Sequence, residues 1–144
     1  MGKKRTVQKT CGGFNVELRT RSLSKTVKNK ITSGTLYIQA TYNNTRVVLT
    51  DKSGNTICWS SSGALGFKGT KKGTPFAAAK AGELIGEKAK QLGMQEVNVI
   101  VKGVGSGRES SLRSFASKGV GLTAIRDETP VPFNGPRPKK ARRV

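Results

Sequence analysis

The sequence predicts a single-domain α/β protein, and three observations lead to this fold class. Residues 34–128 hold seven of the eight acidic residues and nearly all of the apolar content, which is enough chain for one hydrophobic core. Short runs in which apolar and polar residues alternate come first. Strand-like and helical segments then follow in turn, and this order predicts a mixed sheet with right-handed crossovers and covering helices.

Five strands are expected, and the first two are joined by a short turn. Asn43 and Asn44 favour a tight hairpin turn, because both residue types tolerate a positive φ. In the third strand, Ile57 and Trp59 share one face. The predicted strands cover residues 35–42, 45–50, 56–61, 95–102 and 120–127.

The first of two expected helices has clear start and stop signals. Thr74 supplies an N-cap, and Pro75 supplies the proline that is favoured at the first helical position. Gly93 supplies the C-terminal stop of a helix over residues 75–92.

A second helix is expected over residues 108–118, ended by Gly119. Gly82 and Gly86 lie four residues apart on one face of the first helix. Because glycine has no side chain, this spacing predicts that another part of the chain packs closely there.

Both ends of the chain are basic and poor in apolar residues. Residues 1–33 hold nine Lys or Arg against one acid, Glu17, so this arm is expected to be disordered in isolation. Residues 129–144 contain four prolines, and five of the last eight residues are basic, which predicts an extended tail. The acid-poor start is also compatible with an organelle transit sequence.

The charge of the chain indicates a polyanionic partner. With 27 Lys and Arg against 8 Asp and Glu, the net charge is +19, which favours nucleic acid over an anionic membrane surface. No apolar run approaches the roughly 18 residues of a membrane span. No membrane partner is therefore predicted.

The residues that most catalytic and metal sites need are scarce. The chain has no histidine, the usual proton shuttle at neutral pH and the commonest metal ligand. Cys11 and Cys58 do not form a CxxC pair and are expected to be reduced thiols. Ser60, Ser61 and Ser62 lack a histidine to activate them. We therefore predict no enzymatic activity, no cofactor and no metal site.

A glycine turn leads into the second helix and has three possible interpretations. Gly103, Gly105 and Gly107 alternate, and Lys102 and Arg108 flank them. Exposed backbone N–H groups at a helix N-terminus form a general anion site. The turn is interpreted as a structural crossover, as an RNA phosphate site or as a site for a free nucleotide.

A lysine-rich and glycine-rich loop over residues 61–74 is the second candidate site. Lys68, Lys71 and Lys72 can neutralise phosphates, and Thr70 can donate to phosphate or to a ribose hydroxyl. The alternative is a solvated, flexible loop. Among the large aromatic residues, Trp59, Phe76 and Phe115 fit core positions, whereas Phe67 fits either the core or a position that stacks on a base.

Four motifs occur in the order and spacing of one family: YNNTRVVLTDKSGN, WSSSGALGFKGTKKGTPFAA, VKGVGSGRE and AIRDETPVPFNGPRPKKARRV. Over residues 31–144 the chain resembles the bacterial-type ribosomal protein eleven of the small subunit. It departs from the usual family residues at Val104, Phe133 and Pro136, where the family commonly has Pro, His and Cys.

The resemblance implies a three-layer α/β/α domain over residues 34–128, with a five-stranded mixed sheet of ribonuclease-H-like topology. It also implies a non-catalytic protein of cytoplasmic or organellar ribosomes, bound on the small-subunit platform near the mRNA exit cleft. The partners it implies are small-subunit rRNA, the neighbouring ribosomal proteins numbered seven and eighteen, and mRNA.

By position, the resemblance assigns RNA binding to the hairpin tip, the lysine loop, the glycine turn with the following helix, and the tail. These residues are Asn43, Asn44, Gly66, Lys68, Thr70, Lys71, Lys72, Lys102, Gly103, Ser106, Arg108, Arg113, Asn134, Arg137, Lys139, Lys140, Arg142 and Arg143. Two rival hypotheses are a DNA-binding architectural protein and an enzyme that acts on nucleic acid. The second needs metal-binding carboxylates that the predicted strands do not supply.

Overall fold

The computed structural model describes residues 17, 31–137 and 139–140. The predictions for the N-terminal arm lie almost entirely outside the described residues, as do those for Cys11, Arg142 and Arg143. The elements are β1 Ser33–Ala40, β2 Thr45–Asp51, β3 Thr56–Ser61, a short 3₁₀ helix Gly69–Gly73, α1 Pro75–Gln91, β4 Glu96–Lys102, α2 Gly107–Ala116 and β5 Gly121–Asp127.

The five strands form one mixed sheet in the order β3-β2-β1-β4-β5. β2 is antiparallel to both of its neighbours, whereas β1, β4 and β5 pair in parallel. β2 therefore runs opposite to the other four strands. This arrangement confirms the predicted fold class and agrees with the ribonuclease-H-like topology that the resemblance implies.

Both helices pack on the same face of the sheet. α1 contacts β2 and β3, α2 contacts β1, and the two helices contact each other. The crossovers from β3 to β4 and from β4 to β5 advance in one direction across the sheet, so two right-handed connections place both helices on one side. The described residues thus form two layers. No helix among the described residues forms the third layer of the expected α/β/α arrangement.

The hydrophobic core lies between the sheet and these helices. Leu36, Ile38 and Val99 point from the sheet towards α1 and α2 and are buried, as is Phe115 of α2. Ile31, just before β1, also packs against this core. Cys58 is a free thiol on β3, and burial raises its pKa to about 11.

The bounds of α1 confirm the predicted capping signals. The N–H of Ala77 donates to the Thr74 hydroxyl at 3.4 Å. At the other end Gly93 has a φ of +77°, and its N–H donates to the Lys90 carbonyl at 3.0 Å. The N–H of Met94 reaches the Ala89 carbonyl at 3.0 Å, which completes a Schellman motif.

The large aromatic residues are placed differently from the expectation that Trp59 and Phe76 belong to the core. Phe67 is buried, whereas Trp59 is 53% exposed and Phe76 is 60% exposed. Trp59 pairs in register with Val48, on the side of the sheet that the described helices do not cover. The prediction that Ile57 and Trp59 share one face was also wrong, because Ile57 packs against the core. A register shift between β2 and β3 at Leu49 and Thr50 interrupts the alternation of β3, so the pattern did not place Trp59 correctly.

Candidate nucleic-acid interface

One edge of the sheet carries most of the predicted RNA-binding segments. β1, β3, β4 and β5 are mutually parallel, so their C-terminal ends lie at the same edge, where the β1–β2 hairpin also turns. We call this the carboxyl edge, formed by residues 41–44, 62–74, 102–107 and 127–129, and the tail begins there. The opposite end of the sheet is the amino edge. In open α/β sheets, ligands bind outside the carboxyl ends of the strands.

The segments of the carboxyl edge pack directly on one another through their backbones. The N–H of Gly105 donates to the Ala40 carbonyl at 3.0 Å, and the Ser106 hydroxyl donates to the Gly73 carbonyl at 3.0 Å. A Cβ atom on Gly73 would overlap the carbonyl oxygen of Tyr42. The glycines therefore join the hairpin, the lysine loop and the glycine turn into one surface.

The hairpin tip is a four-residue turn that projects from this edge. The N–H of Thr41 donates to the Asn44 carbonyl at 2.9 Å, and the N–H of Asn44 donates to the Thr41 hydroxyl at 3.2 Å. A turn is confirmed at the predicted place, but it also includes Thr41 and Tyr42, which were expected to belong to the first strand, and neither asparagine has a positive φ. Asn43 is exposed, while Asn44 turns its Oδ1 inward, where that atom is buried and has no hydrogen-bond partner.

The lysine loop has a defined conformation that presents its charges outward. Leu65 and Phe67 are buried beneath it, and the 3₁₀ turn shapes its second half. Lys68 and Lys71 are exposed, and Lys72 is half-buried. Within residues 31–137, no carboxylate lies at ion-pair distance from these three lysines. Thr70 is exposed beside them, and Gly66 takes a φ of +94° at the start of the loop.

Lys102 and Arg108 are engaged within the protein rather than held free for an anion. Arg108 donates to the carbonyl of Gly103 and to the carboxylate of Asp127. Lys102 forms an ion pair with Glu128 at 3.2 Å. Asp127 and Glu128, at the end of β5, are therefore both used in ion pairs, and this favours the structural interpretation of the glycine turn.

The carboxylate of Asp127 is the centre of this arrangement. The Thr129 hydroxyl donates to Asp127 Oδ1 at 2.6 Å, and the Thr129 N–H donates to the same oxygen at 2.9 Å. Hydrogen bonds from Thr129, and then from Arg108, lower the pKa of Asp127 to about 2. The tail therefore leaves β5 from a fixed point on the carboxyl edge.

The remaining predicted residues differ in their setting. Arg113 lies on α2 with its side chain 86% exposed, 4.0 Å from Glu109. The described tail residues Arg137, Lys139 and Lys140 are exposed. Asn134 has a φ of +49°, which bends the chain between two prolines.

Tyr42 was missing from the predicted RNA-binding residues, yet it is 79% exposed at the hairpin tip. Its place beside Asn43 in a predicted turn was the available signal.

Within the described ranges, no helix is long and apolar enough to cross a membrane. No group of three His, Cys, Asp or Glu side chains in those ranges is arranged to hold a metal ion.

The family model described as Ribosomal protein S11 matches residues 34–143. The chain belongs to this ribosomal protein family. The match includes every described element from Gly34 of β1 to the tail, and it agrees with the resemblance carried by the four sequence motifs. Members of this family are structural proteins of the small ribosomal subunit, and the family is not a family of enzymes.

Proposed function

We propose that this family member binds small-subunit rRNA through its carboxyl edge, on the platform of the subunit near the mRNA exit cleft. The convergence of the hairpin tip, the lysine loop and the start of the basic tail on one edge of the sheet carries the proposal. Phosphate contacts supply most of the affinity for nucleic acid, and clustered unpaired lysines are suited to make them.

The three segments have different tasks in this proposal. Lys68, Lys71 and Lys72 neutralise phosphates, and their loop is held in shape from below by apolar side chains. Asn43 and Thr70 are exposed and can hydrogen-bond to phosphate or to a ribose 2′-hydroxyl. The tail adds Arg137, Lys139, Lys140, Arg142 and Arg143.

Protein neighbours are expected along β5 and the first part of the tail. Ile125, Val131 and Phe133 are large apolar residues that the described chain leaves exposed, and we expect such residues to be covered by protein neighbours. The neighbouring small-subunit proteins numbered seven and eighteen are the proposed partners, with mRNA passing nearby. The proposed location is the ribosome, in the cytoplasm or in an organelle.

A charge-matched pair of variants tests the carboxyl edge. One variant replaces Lys68, Lys71 and Lys72 with Gln, and the control replaces Lys52, Lys88 and Lys90 at the amino edge. Affinity for the rRNA is measured across a salt series. Each lost phosphate contact lowers the slope of log affinity against log salt by about 0.7 to 0.9. We expect a loss of roughly 2 to 3 units for the first variant and little change for the control.

Equal losses for the two triple variants would show that the charge acts diffusely and would contradict the proposed interface. The rival hypothesis of a DNA-binding protein makes a different prediction. In that case the chain would prefer duplex DNA to rRNA, and it would not sediment with small subunits at moderate salt.

A further inference from the structure

The face of the sheet opposite α1 and α2 is a second, separate surface. Alternation along β1 and β4 places Tyr37 and Ile100 on this face, with the core residues on the other. No helix among the described residues packs on it. Trp59, the only tryptophan of the chain, stands on this face and is 53% exposed.

Two rows of side chains cross this face, because the strand registers align them. The first row is aromatic and aliphatic and ends in an arginine: Trp59, Val48, Tyr37, Ile100 and Arg126. The second row lies one step nearer the carboxyl edge and is polar and basic: Ser61, Arg46, Gln39 and Lys102. Neighbouring strands are about 4.8 Å apart, so Trp59 and Tyr37 are separated by roughly 10 Å.

The Arg46 guanidinium lies over the indole of Trp59, 5.6 Å from the ring centroid. This contact fixes the ring while leaving about half of its surface accessible. Arg46 is itself exposed, and neither Arg46 nor Arg126 has a carboxylate partner within the described residues. An accessible ring beside an unneutralised guanidinium offers a base a stacking surface and its phosphate a counter-charge.

The charge of the face favours RNA over a protein partner. Arg46 on β2 and Arg126 on the edge strand β5 have no carboxylate partner among the described residues, whereas Lys102 is paired with Glu128 and Glu96 lies at the amino end of β4. Aromatic side chains on an open sheet that is surrounded by basic residues are the arrangement by which sheet-based modules bind unpaired nucleotides.

We propose that this open sheet face binds an unpaired RNA segment, with one base stacked on Trp59, its adjoining phosphate on Arg46 and a phosphate farther along the segment on Arg126. The inference rests on the proposed rRNA-binding function and adds a second surface to it. Double-stranded RNA does not fit this role, because its bases are already stacked and paired. The carboxyl edge binds phosphates at the ends of the strands, and the sheet face distinguishes unpaired from paired RNA.

The single tryptophan makes the test specific to this face. Intrinsic Trp59 fluorescence of the full chain is followed while an unpaired oligoadenylate of about eight nucleotides is added. We expect quenching by this RNA and none by a fully paired RNA duplex of equal length. Trp59→Ala should weaken affinity for the oligonucleotide by about 5- to 150-fold, the value of one base–aromatic stack. Trp59→Phe should retain a large part of that affinity.

Phe76→Ala is the matched control, because Phe76 is 60% exposed and has the Lys80 ammonium 5.9 Å from its ring centroid, but stands on α1. Affinity that falls equally for Trp59→Ala and Phe76→Ala would overturn the proposal. Binding of the oligonucleotide without quenching of Trp59 fluorescence would also overturn it. In that case the proposed function of the carboxyl edge would still stand if the lysine-loop variant bound rRNA with a reduced salt slope. Loss of sedimentation with small subunits in Trp59→Ala, with unchanged affinity for the oligonucleotide, would assign the face to a protein partner instead.

Discussion

Arg108 joins three segments that are far apart in the sequence. Its guanidinium donates to the Gly103 carbonyl before α2, to the Asp127 carboxylate at the end of β5, and to the Thr129 hydroxyl at 3.3 Å. The side chain thus holds the glycine turn to the start of the tail. Its first role is structural, and any effect on RNA binding follows from the position of the tail.

We expect Arg108→Ala to destabilise the fold and to leave the RNA affinity of the folded protein nearly unchanged. Losing the hydrogen bond to the partly buried Gly103 carbonyl costs about 1 kcal/mol. The pKa of Asp127 should also rise, because the guanidinium is one of the groups that lower it. Chemical denaturation and a carboxyl NMR titration measure the two effects.

Arg113→Ala is the control for this prediction. Arg113 lies on the same helix, but its side chain is 86% exposed and its only described ion pair is 4.0 Å long, so its removal should change stability by less than about 0.5 kcal/mol. A folded Arg108→Ala protein of unchanged stability that had lost RNA affinity would restore the original prediction that Arg108 binds phosphate.

At the scale of elements, two glycines allow α1 and α2 to pack closely. A Cβ atom on Gly82 would overlap the backbone carbonyl of Ser111, which cannot move without moving α2. A Cβ atom on Gly86 would meet mainly the side chain of Lys118, with its Cγ at 2.8 Å. The sequence predicted that another part of the chain packs closely on these two glycines, and in the structure that part is α2 and the turn that follows it.

Gly82→Ala is expected to destabilise the protein more than Gly86→Ala. Alanine gains about 1 kcal/mol of helix propensity at either position, but overpacking costs typically about 1 to 3 kcal/mol where the neighbour is rigid. The free energies of unfolding of the two variants give the comparison. Equal values would mean that α2 can shift away from α1 at little cost.

Lys118 forms an ion-pair network between the helices. Its ammonium lies 2.8 Å from a Glu83 oxygen and 3.2 Å from a Glu87 oxygen. Hydrogen bonds from Lys118 first, and then from Lys80, lower the pKa of Glu83 to about 2. In the unfolded chain a glutamate has a pKa of about 4.3, so the folded state binds fewer protons between these two values.

The free energy of unfolding should therefore rise with pH from about 2 to about 4.5, and this contribution should disappear as the pH falls through that range. Lys118→Met should make the rise smaller, whereas Lys90→Met, an exposed change on α1, should leave it unchanged. Denaturation curves across this pH range measure the slope. An unaltered slope in Lys118→Met would show that the network adds nothing to stability.

The same elements show what the sequence can and cannot predict. The bounds of α1 were predictable, because Thr74 and Gly93 act on the backbone next to them. The exposure of Trp59 was not, because it depends on which face of the sheet the helices cover. The partners of Lys102 and Arg108 were also hidden, since they lie about 20 residues or more away and meet only when β5 joins the sheet.

At the scale of the whole molecule, the tail leaves the domain from the edge that carries the lysine loop, and the two are proposed to contact one RNA. The tail leaves the domain beside Asp127, and its described residues are exposed, so it adds almost no apolar burial to the fold. Prolines at its start limit its freedom before binding, which lowers the entropy lost on docking.

Replacing the five basic residues of positions 137–144 with Gln keeps the length of the tail and removes its charge. If all five contact phosphates, the salt slope falls by about 0.7 to 0.9 for each, or roughly 4 units, and the thermal stability of the free protein stays unchanged.

When the tail variant is combined with the Gln variant of the lysine loop, the two losses of salt slope should add, because contacts to separate phosphates are independent. A combined loss no larger than that of the tail variant alone would mean that the loop contacts RNA only after the tail has docked. In that case the carboxyl edge would bind in sequence, with the tail first.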